Sequence, residues 1–274
     1  MSEEVADSEA VAAGALVQVR LPEVVSVAEL DACGRMAYRV AHILGNLTAA
    51  VVGNAELIVR GCEEDSPVRR RAGNIVKAMS QATELTHHMD LFLGHASRDD
   101  QPLDLPALLA DSEIKALIQS LPRPVPVVVS PMDAAKLPHP YASAARLRHV
   151  VRALLANAAD ALVDRTGHAL VSVDNVVLDA ARMVPMLRSP KMQPGEFLRI
   201  SVADAGEGIA EESLPHLFAP TFSTRMRQSG FGLSDVYGIV CRQHGGGIGL
   251  WTWTGTGTRV EIYLPASRPR PATL

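Results

Sequence analysis

Aromatic residues are scarce in this 274-residue chain, 4% in all, so its core must be built largely from Ala, Val and Leu, and the 47% hydrophobic content supplies enough of them. Cysteine is equally sparse. Cys33, Cys62 and Cys241 are odd in number and far apart, which excludes a disulfide framework or a zinc-ligand spacing and fits a reducing compartment. There is no excess of positive charge: 26 Lys and Arg against 30 Asp and Glu leave a net charge of −4, which excludes a nucleic-acid binder held by bulk electrostatics. The apolar runs are short and broken by Arg, Asn or Asp. Neither a membrane-inserted helix nor a signal peptide is therefore expected, and the expected setting is cytoplasmic. A GxxxxGK[ST] loop and a Rossmann fingerprint are both missing, and no internal repeat is visible. The length accommodates one large domain or two ordinary ones.

The patterning divides the chain. Residues 1–26 are acidic and rich in Ala and Val, with Pro22 near their end, and read as a mostly disordered tail with room for a short helix or strand. From 27 to 61, Leu30, Cys33, Ala37, Val40, Leu44, Leu47, Val51, Asn54 and Ile58 follow one another at spacings of three and four, the seam of a coiled-coil-like helix. Glu63 to Pro67 interrupt it, with Ser66 suited to cap a second helix and Pro67 to its first turn. Val68, Ala72, Ile75, Met79, Ala82, Thr86, Met89 and Leu93 then repeat the spacing. Residues 27–95 thus read as a helical hairpin. A single hairpin hides its two apolar stripes poorly, and two copies hide them as a four-helix bundle. Residues 96–106, with Pro102 and Pro106, read as a linker. From 107 to 266 the pattern is mixed: a helix near 105–120, a strand at 125–129, a long helix at 141–163, an antiparallel pair at 169–177 and 196–203 joined by an extended hairpin loop, and a closing strand at 258–264. Residues 267–274 form a Pro/Arg tail.

Four segments in the second half carry chemistry. Asn157 lies beside the apolar stripe Leu154, Leu155, Ala158 and Leu162 of its helix, where its amide oxygen can ligate a hard cation such as Mg²⁺. Asp204 ends the strand pattern Leu198–Val202 and opens Asp-Ala-Gly-Glu-Gly, a carboxylate able to accept from an exocyclic amine beside glycines that let the backbone turn. Phe218 and Phe222 flank Pro220 as an anchor for a mobile lid that leads to Arg225, a candidate phosphate ligand. Gly230-Phe231-Gly232 precedes a helix, an arrangement whose free amides attract anions. Each segment has a plainer alternative: an Asn bonded to nearby backbone, a strand-ending turn, a hydrophobic staple, a glycine hinge.

In this order, and followed by Gly245-Gly246-Gly247, Gly255–Thr258 and Val260–Pro265, the segments resemble the ATP-binding domain of sensor histidine kinases, a Bergerat-fold ATPase. The resemblance extends to the helix with Val40-Ala41-His42-Ile43-Leu44-Gly45-Asn46-Leu47, which is similar to a phosphoacceptor helix. It implies an α+β chain: a helical hairpin forming a dimeric four-helix bundle, then an α/β sandwich that binds ATP and Mg²⁺. It makes Asn157 the metal ligand and Asp204 the adenine reader, with Gly206 and Gly208 shaping the pocket and Gly230 and Gly232 facing the phosphates. His42 becomes the phosphoacceptor, Asn46 the residue that positions a water, and a response-regulator receiver domain the partner. The implied protein is a soluble kinase without a sensor domain, so its signal must come from a partner or ligand. An ATP-driven clamp or topoisomerase relative is disfavoured, since no transducer segment follows Pro265.

Independently of the resemblance, the seam turns Val40 and Leu44 inward and His42 and Asn46 toward solvent, where an imidazole is a competent nucleophile. His87 and His88 on the second helix compete for the role without a matching motif. Two departures stand out. Gln228 and Ser229 occupy the stretch where the family often has an earlier glycine. Ile43 stands where the family has an acid that orients the ring and takes its proton, which keeps open a transfer-only or scaffold protein with a degenerate kinase domain.

Overall fold

The structure is a computed structural model that describes residues 16–94, 100–103, 108, 116, 118–121, 125–130, 133, 136–162, 167–223 and 230–266, the side chains of Arg39 and His42 excepted. In chain order its elements begin with strand β1 (Val17–Val19), the single-turn helix α1 (Leu21–Val24), and the long helices α2 (Val27–Gly61) and α3 (Pro67–Leu93). Strands β2 (Gln101–Pro102), β3 (Val127–Val129) and β4 (Tyr141–Ala142) lead to helix α4 (Ala144–Ala161) and strand β5 (Ala169–Leu178). A short helix α5 (Ala180–Met183), strand β6 (Leu187–Arg188) and strand β7 (Gly195–Asp204) follow. After a 3₁₀ turn at Glu211–His216, helix α6 (Gly232–Tyr237) runs on as a π-helical turn at Gly238–Gln243 into strands β8 (Gly247–Trp253) and β9 (Gly257–Pro265).

The chain forms two units, Ala28–Ala96 and the remainder. In the helical unit, Ser66 Oγ accepts from Val68 N at 3.2 Å and caps α3. Gly94 ends α3 in the left-handed region, its N–H returning to Asp90 and Leu91. The stripe buried on α2 is made of small residues, Ala37, Ala41, Thr48 and Ala55 after Leu30. Within one chain the expected seam is therefore only partly buried. Val40, Leu47, Val51 and Ile58 are exposed, as are Met36, Ile43 and Leu57, while Leu44 is half-buried. Helix α2 has more apolar surface than one face can hide, and the positions buried within the chain are those whose small side chains allow close approach. By length and composition alone α2 would also pass as a membrane span, contrary to the expectation that no run is long enough.

The second unit is built on a seven-stranded sheet in the order β1-β8-β9-β7-β5-β3, with β6 pairing the start of β8. All these pairings are antiparallel except that of β3 with β5. Alternation along β7 sends Leu198, Ile200 and Val202 to the face on which α4 packs through Val151, Leu154, Leu155 and Ala158. The opposite face is covered by the segment after β5, whose Met183, Met186 and Met192 cluster with Leu178, Phe197 and Tyr263. That segment is not the extended hairpin loop expected there. Its apolar side chains fold it back as α5 and β6.

The N-terminal stretch also departs from its expected disorder in the part described. Val17–Val19 pair with Leu250–Thr252, Leu21 N donates to Pro185 O at 3.0 Å, and Leu21 and Val25 are buried. The linker expected over 96–106 contributes β2, which pairs with β4, and a buried Leu103. Most of the helix expected near 105–120, and the tail at 267–274, lie outside the described residues.

Candidate functional site

Helix α4 organises the site in the sheet unit. Asn157 and Ala161 lie one turn apart on the same side of it. Gly232, at the start of α6, faces Asn157: a Cβ placed there would stand 3.6 Å from Asn157 Oδ1. Gly206 faces Ala161 so closely that a Cβ would meet its carbonyl oxygen and Cβ at 2.6 Å. No side chain fits between β7 and the end of α4 at this point. The carboxylate of Asp204, at the end of β7, turns back to accept from Gly206 N at 2.8 Å, which closes the turn and holds the acid over the same corner. Gly208 takes the left-handed conformation, with φ 71° and its Cα hard against the Trp253 carbonyl, where a side chain would be both strained and excluded. Gly230 packs on the Thr221 backbone, so the described residues on either side of 224–229 meet. Phe218 is buried beside Tyr237, their ring centroids 6.3 Å apart, which anchors the segment after the 3₁₀ turn to α6.

Five of the expected residues, Asn157, Asp204, Gly206, Gly208 and Gly232, are thereby linked through α4 and the β7 and β8 ends, and Gly230 stands two residues from Gly232. Arg225, with Gln228 and Ser229, lies outside the described residues. Asn46 is exposed on α2, and the side chain of His42 on the same helix is not described.

Sequence reasoning missed the polar ties that fix α6 and the turn after it. His149 Nε2 on α4 lies 2.8 Å from Asp235 Oδ2, whose carboxylate is buried on α6. Arg146, one turn earlier on α4, donates to Gln243 Oε1. His244 is buried with Nδ1 2.7 Å from the Ile239 carbonyl and Nε2 3.4 Å from Asp100. Burial holds it below the ordinary imidazole range, against the raising effects of that carbonyl and of Asp100. Burial pushes the Cys241 thiol up, so it serves as a packed hydrophobe rather than a nucleophile. Nothing local in sequence marks these ties. His149 and Asp235 are 86 positions apart.

Residues 142–268 match the family described as "Histidine kinase-, DNA gyrase B-, and HSP90-like ATPase". The chain is 26% identical over 245 residues to "Sensor kinase CckA" of Brucella abortus (strain 2308), covering 86% of this chain and 24% of that protein. It is 27% identical to "Sensor histidine kinase ZraS" of Escherichia coli (strain K12), covering 80% of this chain and 43% of the other. To "Sensory histidine kinase/phosphatase NtrB" of Rhizobium meliloti (strain 1021) it is also 27% identical, with 77% and 53% covered. Residues 142–268 thus carry an ATPase domain of that family, and the chain is similar to sensor histidine kinases over most of its length.

The chain spans from about a quarter to about half the length of the curated relatives it matches. Full-length ShkA, solved in complex with AMPPNP, shares the fold: the TM-score is 0.56 at 20% identity, over 84% of this chain and 45% of that one. The matched region takes in Asn157, Asp204 and all four site glycines.

Proposed function

We propose that the chain is an ATP-dependent protein histidine kinase of a two-component system, acting as a homodimer in the cytoplasm. ATP and Mg²⁺ bind at the corner formed by α4, the end of β7 and the start of α6. Asp204 accepts from the adenine amine, Asn157 Oδ1 ligates the metal, and the amides around Gly230 and Gly232 face the phosphates, with Arg225 joining them from the lid. The donor set fits: an amide oxygen suits a hard cation, and no side chain caps the first turn of α6. His42 displaces ADP from the γ-phosphoryl, forming a P–N bond. The phosphoryl then passes to an aspartate of a response-regulator receiver domain, and Asn46 positions the water that removes it. Catalysis of this kind rests on positioning and charge neutralisation.

The observation that carries the reading is the convergence of three separate motifs on one face of α4, with Gly232 against Asn157 and Gly206 against Ala161. The test is incubation with γ-labelled ATP. Wild type should acquire acid-labile label, and His42→Ala should not while still binding ATP. Asp204→Ala should lose both binding and label. Label retained by His42→Ala would reject the acceptor, and undiminished ATP affinity in Asp204→Ala would reject the site.

Ile43 favours a second reading, a phosphotransfer or scaffold protein whose kinase domain no longer phosphorylates its own bundle. An exposed isoleucine supplies no base beside His42.

A further inference from the structure

The sheet face turned away from α4 carries a cavity of about 500 Å³ lined by none of Asn157, Asp204, Gly206, Gly208, Gly230 and Gly232. Its floor comes from the residues of β7 and β9 that alternate with the core: Arg199 on β7, and Arg259, Glu261 and Tyr263 on β9, with Trp251 of β8 beside Arg259. Its roof is the folded segment after β5, through Arg182, Pro185 and Met186.

The charges are unevenly matched. Glu261 is buried between Arg199 and Arg259, each 3.5 Å away, and accepts from the Tyr263 hydroxyl. Arg199 is further tied to Asp174 at 2.8 Å. Three guanidiniums therefore meet two carboxylates. Arg182 has no acid partner among the described residues, and the Arg259 guanidinium, its buried Nε 3.5 Å from Glu261, lies 4.8 Å over the Trp251 ring. A cation fixed on an aromatic plane, beside a second guanidinium with no acid partner, is pre-organised for an anion. Val176, Leu178 and Met186 line the rest with apolar surface. One unmatched positive charge beside apolar walls selects a monoanion with an apolar body. A dianion would bring surplus negative charge toward the buried Glu261.

We propose that this cavity binds a small carboxylate with an apolar body, its carboxylate held by Arg182 and Arg259 and its body against Val176, Leu178 and Met186. The volume is in the range of small-molecule sites. The assignment does not depend on the nucleotide reading, because the two sites share no residue.

Calorimetric titration of the full chain with 2-naphthoate tests it. One saturable site is expected, unaffected by saturating ADP. Neutral 2-naphthalenemethanol lacks the charge and inorganic phosphate the apolar body, and each should bind at least about ten-fold more weakly. Arg182→Ala and Ala181→Trp both change exposed positions and should keep the wild-type melting temperature. The first should weaken 2-naphthoate at least about ten-fold by removing a charge-assisted bond, and the second should block it by filling the cavity. No saturable heat with 2-naphthoate, equal binding of the carbinol, unchanged affinity in both variants, or displacement by ADP would each overturn the proposal.

Discussion

At the scale of single residues, the decisive position is Ile43. On the proposed reading, the corner of α4, β7 and α6 has groups that fit their roles, whereas Ile43 follows His42 where the resembled kinases have an acid. A general base contributes about 10²–10⁴-fold to proton transfer, so under the proposed reading its absence would outweigh small misplacements elsewhere in setting the rate. Within one chain Ile43 is 59% exposed, so a glutamate there opens no void and buries no charge in the hairpin itself. Ile43→Glu should therefore label with γ-phosphate at least about ten-fold faster than wild type, with unchanged ATP affinity. Equal rates in the two proteins would show that this position does not limit the reaction. A wild type and variant that both bind ATP and stay unlabelled would favour the transfer-only reading.

At the scale of elements, the N-terminal segment shows how a sheet recruits chain from outside its own span. β1 covers the edge that β8 would otherwise expose, and α1 seats Leu21 with no exposed surface. Leu21→Ala should lower the unfolding free energy by about 2–5 kcal/mol, measured by urea denaturation of the sheet unit's transition. A free tail would give no change, and that result would remove β1 and α1 from the fold. This element was not legible in sequence because it is short and its pairing partner is more than 200 positions away. The same cause hid β8, whose glycines mask a strand that pairs on both edges, and the folded segment between β5 and β7, whose methionines follow no period. Legible elements were those carrying their own signal. The 3-and-4 spacing with Ser66 and Pro67 marked α2 and α3, and alternation marked β5, β7 and β9. The candidate site was legible as motifs, since Asn157, Asp204 and the glycines each sit in a local pattern. Its supports, His149 with Asp235 and Arg146 with Gln243, depend on contacts that only the fold creates.

At the scale of the whole molecule, the open question is what covers α2. Met36, Val40, Ile43, Leu47, Val51, Leu57 and Ile58 are exposed along a helix that also has the length and composition of a membrane span. Lipid and a second copy are the competing covers. Helix α2 also carries Glu29, Asp31 and Arg35 in its first turns and Glu56 and Arg60 in its last, and polar Asn46, Thr48 and Asn54 interrupt the stretch between. A bundle tolerates such groups at its rim, whereas hydrocarbon requires each to find a partner. A second copy is therefore the expected cover. Leu47 reports on this better than Leu44, because Leu44 is half-buried within one chain and its replacement would perturb the hairpin itself. Leu47 is 59% exposed, so Leu47→Glu leaves the single chain's packing nearly untouched but places a charge in the proposed seam. Light scattering without detergent should find wild type as a dimer at micromolar concentration, and Leu47→Glu as a folded monomer with the same helical circular-dichroism signal per residue. A soluble monomeric wild type would refute the bundle, and a wild type that disperses only in detergent would assign α2 to the membrane instead.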